Sequence, residues 1–503
     1  MGKVTGIVFF NPRAAQHKPR IPNSILSIAA TVEGKCDYVI VDGNLESDPL
    51  SKLKSYFDTG KYTVFAATVM PGPQLKEAIP FTQYMRAHYP SVTIVWGGYF
   101  ASNQWQVVMH SGAVDYIIYG PGDHAFPMLM DHLQKDAPLD LIPNLIWKDN
   151  GKILRNHKDE LYDQDTLPAL PYEKLNTFYP ISRYLGKTFL GNKTIAYHSS
   201  IGCPFTCAFC GIVPIYNARW RGRSAEMILR DIKFLKETYG GDAIEFHDNN
   251  FFVSEKRSVA FAELIEKENM SWWGEGRIDT MDKYSDASLE KLRRSGCRMI
   301  FFGAETGNDK ILQMMDKGGT QTGDQIRAFA ARMKQFDIIP EYSFVLGTPG
   351  ANETEVSEQI DADIAFIREI KTINPDTEII IYVYSPVPTE GSALFEEVKN
   401  NGFQFPKELQ DWITPQWEHF DQRKNPLTPW LKPYMIDKIK NFETVLNGYY
   451  PTLSDTRLNL KKRRLMHTIS SWRYRNKIYA RPYEIKALQK FWLKYRQPET
   501  EGF

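Results

Sequence analysis

The chain has 503 residues, with 61 Lys and Arg against 60 Asp and Glu and a formal net charge of +1. That length points to about three domains, and the near-neutral balance excludes whole-chain electrostatics as the mark of a nucleic-acid binder. A hydrophobic fraction of 43% excludes a disordered, collagen-like or low-complexity chain.

No apolar run approaches the roughly 18 residues that cross a bilayer. The short apolar stretch after Lys3 runs into Asn11-Pro12 and does not read as a secretory signal, so a cytoplasmic location is expected. Of the five cysteines, Cys203, Cys207 and Cys210 fall together while Cys36 and Cys297 stand alone. This arithmetic suits a metal in a reducing compartment and not a disulfide framework.

In chain order, Val4 to Phe10, Tyr38 to Val41, Tyr62 to Met70, Val92 to Trp96 and Val114 to Tyr119 read as strands separated by helical stretches. The expectation is a Rossmann-like, doubly wound parallel sheet over residues 1–165, with its ligand crevice at the carboxyl ends of the strands. Those ends carry turn residues, among them Gly97-Gly98 and Gly120-Pro121-Gly122. Prolines punctuate Asp163 to Pro180, and residues 166–190 are read as a linker. A second αβ series follows, with strands expected at Thr194 to Ser199, Ala243 to Phe246, Trp272 to Ile278, Met299 to Gly303, Glu341 to Leu346 and Glu378 to Tyr384. Six such units over residues 191–400 predict a full or partial (β/α)6 TIM-type barrel, with catalytic residues just after the strands.

Residues 401–503 lose the alternation and read as a mainly helical domain. Within it, Arg457 to Arg481 holds nine Lys or Arg with interleaved Trp472, Tyr474 and Tyr479. This reads as a solvated helical face, an anionic-substrate patch, or peripheral contact with an anionic membrane.

The informative string is Gly202-Cys203-Pro204-Phe205-Thr206-Cys207-Ala208-Phe209-Cys210, just after the first strand of the second series. Three thiolates on so short a loop suit three irons of a [4Fe-4S] cluster and leave the fourth open to a chelating ligand. A zinc site with His198 as fourth ligand is the alternative.

The loop, with an aromatic residue before its last cysteine, resembles the signature of radical S-adenosylmethionine (SAM) enzymes. Trp220-Arg221-Gly222-Arg223-Ser224-Ala225-Glu226, Ile244 to Phe251, Trp273 to Asp279, Gly303-Ala304-Glu305-Thr306, Gly347-Thr348-Pro349-Gly350 and Pro386-Val387-Pro388-Thr389 are similar to motifs of the cobalamin-dependent branch. The resemblance implies that Cys203, Cys207 and Cys210 hold the cluster and that Phe209, Asp248, Asn249, Asn250, Arg277 and Glu305 contact SAM. For Asp248, Asn249 and Asn250 a helix-capping turn is the alternative, and for Arg277 and Glu305 a mutual ion pair.

The first domain is similar to the cobalamin-binding domain of the same branch. Gly97, Gly98, Tyr99, Gly120 and Gly122 would receive the nucleotide tail, and Thr68, Val69 and Met70 would face the lower side of the corrin. No D-x-H-x-x-G occurs in the chain, so base-off cobalamin without a histidine ligand is implied.

The implied activity is cleavage of SAM to a 5'-deoxyadenosyl radical and methylation of an unactivated carbon through methylcobalamin. Oxidative cyclisation or oxygen insertion on the same cofactors is the alternative, and a non-catalytic cobalamin sensor the distant one. A small-molecule or lipid-like substrate and a reductant such as flavodoxin or ferredoxin are the implied partners; no nucleic acid is. No residue is assigned as general acid or base.

Overall fold

The computed structural model describes residues 6–14, 19–315, 321–386, 393–417, 426–456 and 458–493. The first sheet has seven strands in the order β2-β1-β3-β4-β5-β6-β7. They are β1 (Ile7–Asn11), β2 (Tyr38–Asp42), β3 (Val64–Thr68), β4 (Thr93–Gly97), β5 (Tyr116–Ile118), β6 (Leu145–Asp149) and β7 (Lys152–Arg155). The first five run parallel and are apolar on both faces, as strands covered by helices on two sides must be. The order reverses between β1 and β3, which opens the ligand crevice expected of such sheets at their strand ends.

The hairpin β6–β7 adds two antiparallel strands that the sequence reading did not anticipate. Asn150 and Gly151, both with positive φ, form its two-residue turn.

The second sheet is six-stranded and all parallel, in the order β15-β14-β13-β12-β11-β8. Its strands are β8 (Thr194–Tyr197), β11 (Ala243–Phe246), β12 (Ser271–Gly276), β13 (Cys297–Glu305), β14 (Ile339–Leu346) and β15 (Glu378–Val383). The strands lie in chain order and the sheet is open, with β8 and β15 at its two edges. A short antiparallel hairpin, β9 (Ser200–Gly202) with β10 (Trp220–Gly222), frames the cysteine loop. Residues 387–389 of the last turn motif lie outside the described residues, as do Arg457 and the first residues of the first expected strand.

The C-terminal hundred residues contribute to both cores. Phe403, Leu409, Trp412 and Trp417 pack into the apolar cluster of the first sheet, where the Trp412 ring meets Phe100 edge-on at 5.1 Å. Leu431, Met435, Phe442 and Leu446, mostly from the helix Pro433–Tyr449, join the cluster beside the second sheet. Among the described residues no helix is long and apolar enough to cross a membrane.

Candidate functional site

All six parallel strands of the second sheet end on one edge, and the cysteine loop leaves that edge after β8. Gly202, at φ +75°, permits the hairpin that presents the loop, because a Cβ there would lie 2.1 Å from the Arg219 carbonyl oxygen. Cys207 is buried and Cys203 and Cys210 are partly so. The Cys210 amide donates to the Cys207 carbonyl at 3.0 Å, and the Ala208 amide to the Met315 carbonyl at 2.9 Å.

Arg277, at the end of β12, reaches this loop. Its Nη1 lies 3.0 Å from Cys207 Sγ, and its Nε and Nη2 donate to the two carboxylate oxygens of Asp279 at 2.9 and 2.7 Å. Its guanidinium also stacks 3.9 Å above the Phe205 ring. The partner of Arg277 is therefore Asp279 and not Glu305, because Asp279 lies two residues on, across the turn into the helix Ile278–Met281. Glu305 ends β13 as a buried carboxylate at φ +64°, beside a register shift after Gly303.

Beyond β11, Asp248 is buried and accepts from the Ser199 amide at 2.6 Å, Ser199 Oγ at 2.5 Å and Ser200 Oγ at 2.7 Å. It ties two strand ends together. Asn249 is exposed. Asn250 is 1% exposed and its amide faces the Cys203 thiol, but neither of its polar atoms makes a hydrogen bond of normal geometry among the described residues. Burial pushes the Cys203 thiol up, with the Phe205 amide and Asn250 opposing the shift. Phe209 is half-buried.

The three thiols do not converge with one another, or with other His, Asp or Glu groups among the described residues, on a point that holds one metal ion. A [4Fe-4S] group makes a different demand, one thiolate per iron. His198, the fourth ligand of the zinc alternative, turns instead to the first domain. Its Nδ1 is 3.2 Å from Asn23 Nδ2. The donor set fits the cluster: cysteine sulfur, a guanidinium against one of the thiols, and a buried amide with spare hydrogen-bonding capacity beside another.

The strand ends of the first sheet face this loop. Asn103 Nδ2 donates to the carbonyl of Gly211, next to Cys210, at 3.1 Å, and Lys158 Nζ to that of Ile215 at 3.0 Å. Gly98, at φ +91°, lies so close to β3 that a Cβ would meet Val69 N at 2.8 Å and Val69 O at 2.9 Å. Gly120 has φ +154° and Gly122 is buried against Ile28. Gly97 and Tyr99 are half-buried. Thr68 is half-buried and Met70 is 45% exposed, whereas the Val69 side chain is fully buried in the sheet core. Gly98 and Gly122 thus let the turns after β4 and β5 close against Val69 and Ile28, at the strand edge where such sheets hold ligands.

Sequence reasoning found no acid or base, but the face of the second sheet turned away from its helices carries three glutamates. Glu245 pairs with Arg20 at 2.6 Å, and Glu341 accepts from Trp273 Nε1 at 3.1 Å. Burial, with Asp248 nearby, pushes Glu275 up to about 8; burial and the Glu378 carboxylate push Glu341 up to about 8 as well. Strand alternation could have placed Glu245 and Glu341 on the face opposite their buried neighbours Ile244, Phe246 and Tyr342, whereas Glu275 lies between Gly274 and Gly276 and has no such signal.

Residues 197–362, which contain the three-cysteine loop, match the model of the Radical SAM superfamily. An uncharacterised methyltransferase of Pyrococcus horikoshii is 27% identical over 359 residues, 69% of this chain and 73% of its own. The chain spans 56% to 68% of the length of three other curated relatives. The structure of TsrM from Kitasatospora setae, a radical SAM methyltransferase with tryptophan substrate and a SAM analogue bound, superposes with a TM-score of 0.67 at 15% identity. It covers 96% of this chain and 100% of its own. That of OxsB, a cobalamin-dependent SAM radical enzyme with aqua-cobalamin and SAM bound, gives 0.70 at 14% identity, covering 97% and 75%. The two structures show the shared fold across both sheets. The superfamily match covers residues 197–362, and the two structures add the shared fold.

Proposed function

We propose that this protein is a cobalamin-dependent radical SAM enzyme that methylates an unactivated carbon of a small-molecule or lipid-like substrate. The observation that carries the reading is the direct clamp of Asn103 and Lys158 on the segment after Cys210, which holds the cysteine loop against the glycine-lined strand edge. When bound, the cluster supplies the electron that splits SAM and cobalamin supplies the methyl group.

The chain's own groups do the rest. Cys203, Cys207 and Cys210 hold the cluster, and Arg277 sets its guanidinium 3.0 Å from the Cys207 sulfur. Asn250 offers a donor and an acceptor to the ligand of the open iron. Glu305 supports SAM from β13, Phe209 shields the loop, and Asp248 fixes the β8 and β11 ends. Asn249 stands at the rim. Gly97, Gly98, Tyr99, Gly120 and Gly122 admit the nucleotide tail of cobalamin, with Thr68, Met70 and the Val69 backbone below the corrin. Glu275 and Glu341, both pushed up to about 8, line the face beyond. The second sheet is read as a partial barrel, within the domain limits 1–165, 191–400 and 401–503.

The test separates the two halves. Replacing Cys203, Cys207 or Cys210 by Ala should abolish the iron–sulfur absorbance and the release of 5'-deoxyadenosine while cobalamin stays bound. A product heavier by one CH2 supports methylation, whereas loss of hydrogen or gain of oxygen would assign oxidative chemistry. Full cluster occupancy in a cysteine variant would overturn the ligand assignment.

A further inference from the structure

The strand-end site leaves unused the surface at the other end of the chain. Between Asp455 and Glu484 the sequence has no acidic residue, and the helix Leu460–Arg475 reads LKKRRLMHTISSWRYR. One side of this helix is occupied. Met466, Ser470 and Tyr474 are buried, and the Arg473 guanidinium is held by Glu484 and the Ala480 carbonyl.

The opposite stripe, with Lys461, Arg464, Leu465, Trp472 and Arg475, follows helical spacing and faces solvent. Leu465 is 39% exposed, Trp472 is 49% exposed, and Leu460 at the helix start is 73% exposed. Of twelve large apolar side chains exposed among the described residues, seven lie between Leu453 and Phe491. Lys461, Arg464 and Arg475 make no ion pair among the described residues, so their charges are available.

We infer that this stripe docks the protein on the surface of an anionic lipid bilayer. Cations alone would fit nucleic acid or an acidic protein equally well. Leu460, Leu465 and Trp472 set between them decide the matter, because an interfacial helix places its apolar side chains below the headgroups while Lys and Arg stay level with lipid phosphate. Tryptophan is enriched at that depth. With no carboxylate on the stripe, nothing repels the anionic surface. The surface lies on the outer helical layer, and the inference holds whether or not the catalytic reading does.

The full-length protein is tested by co-sedimentation with vesicles of phosphatidylcholine alone or with about 30% phosphatidylglycerol. At about 0.1 M salt, binding to the anionic vesicles should exceed that to neutral ones by at least about tenfold and weaken as salt rises. The pair Lys461→Glu with Arg464→Glu and the pair Leu465→Ser with Trp472→Ser should each lower it by about tenfold. All four residues are on the surface, so melting temperatures should stay unchanged. Quenching of tryptophan fluorescence by brominated lipid should be reduced in Trp472→Phe, which keeps the helix intact. Failure to bind anionic vesicles would overturn the inference, as would binding that both pairs leave intact. So would charge-dependent capture of an RNA or DNA duplex without vesicle binding.

Discussion

Arg277 shows how much of this site rests on single side chains. It touches Cys207, Asp279 and Phe205 at once and is almost wholly buried, so its charge is tolerable only while the carboxylate faces it. Asp279→Ala strands that charge and should cost about 3 to 5 kcal/mol in urea unfolding. It should also lower the iron retained after reconstitution.

Asp363 is the second residue of this kind. It accepts from Thr306 Oγ1 at 2.6 Å and holds the turn after Glu305, and burial raises its pKa to about 7. Because the folded protein keeps this proton while the unfolded chain has already lost it, stability should fall as pH rises from about 4 to about 7. Asp363→Asn should flatten that slope in melts across the range; an unchanged slope would assign it to other groups.

At the scale of elements, glycine sets the position of the loops. Gly202→Ala collides with the Arg219 carbonyl and should shift the β9–β10 hairpin, with loss of iron but not of corrin. Gly98→Ala meets the Val69 backbone at positive φ and should do the reverse, lowering cobalamin retention in gel filtration while leaving the brown absorbance.

Local signals explain why the strands and the cysteine loop were legible in the sequence. Apolar runs mark strands buried on both faces, and three thiols in eight residues need no tertiary information to be associated. The β6–β7 hairpin was overlooked although Asn150-Gly151 is a strong turn signal, because its strands LIWKD and KILR are short and mostly polar at one end. Contacts such as Arg277 with Cys207, His198 with Asn23, and Arg20 with Glu245 join positions far apart in the chain, and no pattern of spacing announces them.

On the scale of the whole molecule, the chain completes each sheet with residues from its end. Trp412 fills the first core against Phe100, and Trp412→Ala should cost about 3 to 5 kcal/mol. A cut after residue 400 would strip apolar cover from both sheets, and such a fragment should aggregate more than the full chain when the two are compared by light scattering.

The late arrival of Trp412 and Trp417 also matters for how the protein is made. The ribosome releases the first seven strands roughly 250 residues before it releases their cover, a delay of about 10 to 50 s at ordinary elongation rates. For that interval a nascent chain carries an uncovered hydrophobic flank, and its yield in a cell should depend on chaperone supply more steeply than that of a protein whose domains close in order of synthesis.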